Sequence, residues 1–144
     1  MITPAELDQS KVAAFEERLV GVLNAGALCL MTSIGHRSGL FDVMAEMPPA
    51  SSARIAADAR LNERYVREWL GAMLAAGMVE HDPDAGTYSL PPEHAARLTR
   101  AAAPANIALQ AQYIPLLGAV EDDILACFRD GGGVPYTRYG RFHE

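Results

Sequence analysis

Three features of this chain predict a mainly α fold, a winged helix-turn-helix with additional long N- and C-terminal helices and one small β-hairpin as the wing. The first is the order of signals over residues 51–90, which run helix, tight turn, helix, hairpin. The second is a pair of long apolar segments flanking that unit, at 19–34 and 106–128. The third is the lack of any spacing suited to a nucleotide, a metal or an activated nucleophile.

The N-terminal element is expected as a helix from about Ala5 to Ile34. Val12, Phe15, Leu19 and Val22 recur at alternating spacings of four and three, which places them on one helical face. From Leu19 onward the other side turns apolar too, with Val20, Leu23, Leu28, Leu30 and Met31. A helix apolar nearly all round needs cover on every side. At 16 residues, with Asn24 inside, this run is short for a membrane span and predicts a helix buried in protein. Gly35 is expected to end it.

A short helix then follows Gly39 and closes before Pro48-Pro49. Ser51 or Ser52 can cap the first helix of the helix-turn-helix, because a hydroxyl there accepts from unpaired first-turn amides. Asn62 caps the second, expected over Glu63 to Ala76, with Tyr65, Trp69 and Met73 in one row and Val66, Leu70 and Leu74 beside it. Gly77 suits the left-handed stop that follows. The motif thus covers about 51–77, and the wing 78–90, its strands joined by a turn at 82–86. Another short helix begins at Pro91-Pro92. The last long helix is expected from about Asn106 to Phe128, kinked or restarted at Pro115.

Composition narrows the function. The chain has 144 residues, half of them hydrophobic, with a net charge of −6. That acidity disfavours a polyanionic partner. From 51 to 90, four arginines face six carboxylates, and Asp82 and Asp84 sit at the wing tip that would meet phosphate. If the chain were a winged-helix DNA-binding transcriptional regulator, Arg64 and Arg67 would be its base- and phosphate-binding residues. The charge balance makes nucleic acid an unfavourable partner. Cys29 and Cys127 read as reduced core thiols. The N-terminus lacks the basic and apolar regions of a secretory signal, so the chain is expected in the cytoplasm, away from membranes.

Several features imitate sites. Gly131-Gly132-Gly133 follows a helix and precedes Val134-Pro135, the wrong context for a phosphate loop and the right one for a hinge. His36, His81, His94 and His143 have no metal-ligand spacing, and each reads as a surface or satisfied histidine. Glu121, Asp122 and Asp123 point in different directions on a helix and read as a solvated face. Tyr113, Tyr136, Tyr139 and Phe142 read first as core packing, since aromatics carry a large burial payload, but three of them crowd the glycine hinge and could instead wall an apolar pocket completed by a following domain. No catalytic, cofactor-binding or metal-ligating residue is expected.

Four stretches together carry a resemblance: residues 26–31 (Gly-Ala-Leu-Cys-Leu-Met), 36–42 (His-Arg-Ser-Gly-Leu-Phe-Asp), 61–70 (Leu-Asn-Glu-Arg-Tyr-Val-Arg-Glu-Trp-Leu) and 131–136 (Gly-Gly-Gly-Val-Pro-Tyr). The chain resembles the N-terminal winged-helix, or dimerisation, domain of class I S-adenosylmethionine-dependent methyltransferases of the actinobacterial small-molecule type. The resemblance implies a homodimer entwined through its helices, and a lid over the small-molecule substrate of a methyltransferase domain that follows. It implies S-adenosylmethionine as cofactor of the parent enzyme and none in this chain, whose residues include no counterpart of the catalytic domain. It makes Tyr113, Tyr136, Tyr139 and Phe142 candidates to face substrate or that domain. The expected division is therefore a dimerisation domain over 1–130 and, over 131–144, a hinge and the start of a missing C-terminal domain.

Overall fold

The computed structural model describes residues 7–141, so Phe142 and His143 lie outside the described residues. The first element is α1 (Gln9–Ser38). Asp8 caps it, accepting from the backbone N–H of Ser10 at 3.0 Å and of Lys11 at 3.3 Å. The Ser10 hydroxyl also donates to Asp8, and these bonds hold the carboxyl below its ordinary range.

Gly35 does not stop the helix. It lies buried inside it, where an added Cβ would stand 2.5 Å from Trp69 Cζ2 and 2.8 Å from Phe41 Cε2. The glycine is there to let two rings approach the backbone. The stop is Gly39, in the left-handed conformation, one turn later.

Next come α2 (Leu40–Ala45), α3 (Ser52–Ala59) and α4 (Glu63–Ala75). Ser51 Oγ accepts from the Arg54 N–H, and Asn62 Oδ1 from the Arg64 N–H, as the helix-start signals require. The turn between α3 and α4 is closed by Leu61 N–H donating to the Ala56 carbonyl at 2.9 Å. This puts Arg60, an exposed side chain, at φ 56°, the left-handed region. A residue with a Cβ pays about 1 kcal/mol there. Arg60→Gly is expected to stabilise the domain by up to about 1 kcal/mol, raising the thermal midpoint by a few degrees in a calorimetric scan.

After α4, Gly77 turns left-handed. The Met78 N–H bonds back to the Met73 carbonyl at 2.8 Å and the Gly77 N–H to Leu74 at 2.9 Å, a complete Schellman stop. The wing is antiparallel, β1 (Glu80–Asp82) against β2 (Thr87–Ser89), with His81 opposite Tyr88. Ala50 adds a pairing, exchanging both backbone bonds with Tyr88. This ties the loop before α3 to the wing.

The core lies between the end of α1 and α2–α4. Phe41, Ile55, Leu70, Met73 and Trp69 are buried in it. Trp69 locks it in two ways: its ring meets the Phe41 edge at 5.2 Å between centroids, and its Nε1–H donates to the Met31 carbonyl at 2.9 Å. Tyr65 and Leu74, expected in the buried rows of α4, are exposed instead. The buried stripe is the narrower Val66, Trp69, Leu70, Met73.

The single long helix expected over 106–128 is divided. Following α5 (Pro92–Leu98) the chain makes 3₁₀ turns at Arg100–Ala102 and Ala108–Gln112, then α6 (Tyr113–Gly118) and α7 (Glu121–Asp130). Pro115 falls in the first turn of α6, where a missing N–H costs little. The break comes after Gly118, and Val120 at φ −117°, ψ 15° separates the two helices. Glu121, Asp122 and Asp123 are the first turn of α7, where carboxylates meet the positive end of the helix dipole. A last 3₁₀ turn, Tyr136–Arg138, follows the glycines. The fold is a mainly helical winged helix-turn-helix with a two-stranded wing.

Candidate interaction surface

The first two-thirds of α1 extend away from the core, and residues 9–25 are exposed throughout. Leu28, Met31, Thr32, Gly35 and His36 hold the helix to its own domain. At 3.6 residues per turn, the row Phe15, Leu19, Val22 lies about 140° round the helix from that contact. Phe15 is 65% exposed, Val22 60% and Leu23 66%. The expected apolar surface is therefore present, but nothing among the described residues covers it; the protein cover predicted for residues 19–34 is found only near their C-terminal end. This helix is also long and apolar enough to cross a membrane, judged by length and composition alone.

Two cavities open beside the base of α1. One, of about 300 Å³, is lined on its apolar side by Ile34, Leu40, Leu61, Tyr65 and Trp69. The other, of about 400 Å³, lies between α1 and the 3₁₀ segment, with Cys29, Met78, Ile107, Ile114 and Tyr113 among its lining residues. Ile107, Leu109, Tyr113 and Leu117 continue the exposed apolar surface on that side.

The tail forms its own site. Gly131 and Gly132, both at positive φ, turn the chain back along α7. Arg138 then grips Asp123 with two bonds, at 2.8 and 3.2 Å, which raise the guanidinium above its usual range. Tyr136 and Tyr139 lie 6.4 Å apart between ring centroids. Two pockets share Tyr139 and Val134 as a wall, one of about 330 Å³ with Tyr136 and Leu117, the other of about 440 Å³ with Ile124, Cys127 and Phe128. The structure thus brings Tyr136 and Tyr139 together and places Tyr113 in a different cavity. Both cysteines are free thiols, half-buried on cavity walls rather than in the core. Phe128, the most exposed large apolar side chain of α7 at 85%, was legible only as part of a helix face.

The arginines considered for DNA are accounted for locally. Arg67 Nη1 lies 3.7 Å from Glu63 Oε1, and Arg64 sits over the Tyr65 ring at 6.0 Å. At the wing tip, Asp82 Oδ1 accepts from the Asp84 and Ala85 N–H groups, closing the turn. The exposed face of α4 is electrically balanced, with Tyr65 70% exposed at its centre.

One polar cluster interrupts the apolar surroundings. His36, 7% exposed, lies under the Arg100 backbone turn. Arg100 donates through its side chain to the His36 carbonyl and to Asp42, and through its N–H to Asp42 Oδ1 at 2.7 Å. Burial, and then the Arg100 cation, lower the His36 pKa, with Asp42 opposing. His94 Nδ1 pairs with the Met78 carbonyl at 3.0 Å, and His81 packs on Tyr88. Among the described residues no group of three or more His, Cys, Asp or Glu side chains could hold a metal ion.

Known proteins share this architecture. No curated protein matches the chain. Among solved structures, PigF with SAH superposes on 89% of this chain with a TM-score of 0.70 at 21% identity. Human N-acetylserotonin methyltransferase in complex with SAM covers 96%, with a TM-score of 0.68 at 17% identity. The mitomycin 7-O-methyltransferase MmcR covers 87%, with a TM-score of 0.68 at 16% identity. This chain spans only 37% of PigF, 39% of the human enzyme and 37% of MmcR. Residues 26–100, from the middle of α1 to the Arg100 turn, match the Rv2258c-like winged HTH domain, and the chain belongs to that family.

Proposed function

We propose that this chain is the dimerisation and substrate-lid module of an S-adenosylmethionine-dependent methyltransferase, with no catalytic group of its own. The observation that carries the reading is the outward apolar face of α1. Helices in proteins draw most of their stability from packing an apolar face, and the apolar side chains of this one contribute only when covered. The face points away from the rest of the described residues, which supports a cover supplied by another molecule. A second copy is the simplest source, because each copy brings the same unmet surface.

A membrane is a poorer cover. Lipid needs about 20 apolar residues free of protein contacts. The exposed part, residues 9–25, carries Lys11, Glu16, Glu17 and Arg18, and the more apolar part that follows ends inside the core. Among the solved relatives, the human enzyme and MmcR have names that state methyl transfer, and the PigF and human structures hold SAH and SAM respectively. They support placing the cofactor and chemistry in a methyltransferase domain beside this one. The paired pockets around Tyr136 and Tyr139 then form part of an apolar wall facing a small-molecule substrate.

Two measurements test the reading. Light scattering at micromolar concentration is expected to return twice the mass of one chain, and a well-folded monomer would overturn the dimer. Calorimetric titration with S-adenosylmethionine is expected to show no binding, while a clear isotherm would place the cofactor here instead.

A further inference from the structure

We propose that His36, with Arg100, Asp42 and Asn106, is a proton-sensitive latch that holds the 99–112 crossover against the end of α1. This inference does not depend on the methyltransferase reading.

The geometry is that of a joint between two parts of the fold. His36 is buried in the last turn of α1. Arg100 reaches its carbonyl and clamps Asp42 at the start of α2. Asn106 Nδ2 stands 3.5 Å from His36 Nδ1, and Asn106 Oδ1 is buried without a hydrogen-bond partner. With the Asn106 NH₂ facing it, Nδ1 serves as acceptor, and burial beside the Arg100 cation favours the neutral imidazole. The charged groups turned toward it are Arg100, from the 3₁₀ turn, and Asp42, from α2. The 3₁₀ segment Ala108–Gln112, which packs along α1, contains no charged residue.

Protonation changes the joint at two atoms. Nδ1 becomes a donor aimed at the Asn106 NH₂, also a donor, and the new cation faces the Arg100 guanidinium. The crossover can answer by turning the Asn106 amide or by lifting away. Lifting exposes His36 to water, where its pKa returns to the ordinary 6.5. Below that pH the open form takes up a proton that the closed form refuses, so acid favours opening. The opening constant rises by at most about tenfold per pH unit, down to the lowered pKa of the closed form. The crossover leads directly to Ile107, Leu109 and Tyr113, so opening displaces part of the exposed apolar surface.

Amide hydrogen exchange on the full chain, between about pH 7.5 and about pH 5.5, tests the latch. Corrected for intrinsic chemistry, protection of amides 105–112 is expected to fall severalfold on acidification while α4 amides hold theirs. In His36→Gln, which cannot titrate, the fall is expected to disappear. A histidine titration by NMR on the unmodified chain gives a second readout should the variant fold poorly. The His36 midpoint should lie below the ordinary histidine value of 6.5, and the Asn106 side-chain amide resonances should move with it. Unchanged protection at 105–112, or a loss shared equally with α4, would overturn the proposal. So would an Asn106 amide indifferent to the His36 midpoint.

Discussion

Gly35→Ala is expected to destabilise the domain, although alanine is the better helix former. Two effects compete. Alanine in place of glycine inside a helix gains about 1 kcal/mol of propensity. Against that, the new methyl would stand 2.5 Å from Trp69 and 2.8 Å from Phe41. Both rings are buried, and Trp69 is also tethered by its bond to the Met31 carbonyl. Neither can give way as the end of a flexible chain would. Overpacking of this kind costs about 1–3 kcal/mol and sometimes more. With two rigid rings involved, the cost falls at the upper end, and the net loss is about 2 kcal/mol. Urea denaturation followed by Trp69, the only tryptophan, measures it. Gly71→Ala is the control. Nothing lies within 4 Å of a Cβ there, so the propensity gain should appear uncancelled.

The double substitution Leu19→Glu with Leu23→Glu is expected to leave the fold intact and abolish self-association. In the single chain these leucines are 46% and 66% exposed, and glutamate suits a helix. Exposed substitutions of this kind cost within about 0.5 kcal/mol each. In a dimer closed over α1 the same change buries four carboxylates in an apolar contact, at several kcal/mol. Association should weaken at least about a hundredfold, roughly 2.8 kcal/mol. Sedimentation velocity across a dilution series, with circular dichroism as the check on folding, separates lost association from lost structure.

The helix-turn-helix and wing were legible because their signals are local. Ser51, Asn62 and Gly77 each act on backbone groups within a few residues, and each does in the structure what its residue type implies. Gly35 was misread for the complementary reason. As a local signal a glycine ends a helix, and only the approach of Trp69, 34 positions away, makes it a packing residue. The division of the 106–128 segment was in fact written in the chain. Gly118, followed by three carboxylates at Glu121, Asp122 and Asp123, is a stop and a start signal, masked by uninterrupted apolar spacing. Pro115 marks the restart at α6, as expected of it, while the second break lies after Gly118.

Of the surface residues, Tyr136 and Tyr139 lie together, because they are three positions apart across one 3₁₀ turn. Tyr113 is apart from them because the break after Gly118 redirects α7. Phe142 lies outside the described residues. The Ala50 pairing and the His36, Arg100 and Asn106 cluster join positions 38 to 70 residues apart. Neither leaves a periodic trace in the chain.

Hydrogen exchange of amides 12–25 over a concentration series bears most directly on whether α1 is covered by a second copy. Those amides are expected to be protected at high concentration and to lose protection on dilution, in step with the fall in mass. The rest of the domain should stay protected throughout. Exchange at 12–25 that stays fast at every concentration, in a chain otherwise folded, would mean that the outward face of α1 meets only water.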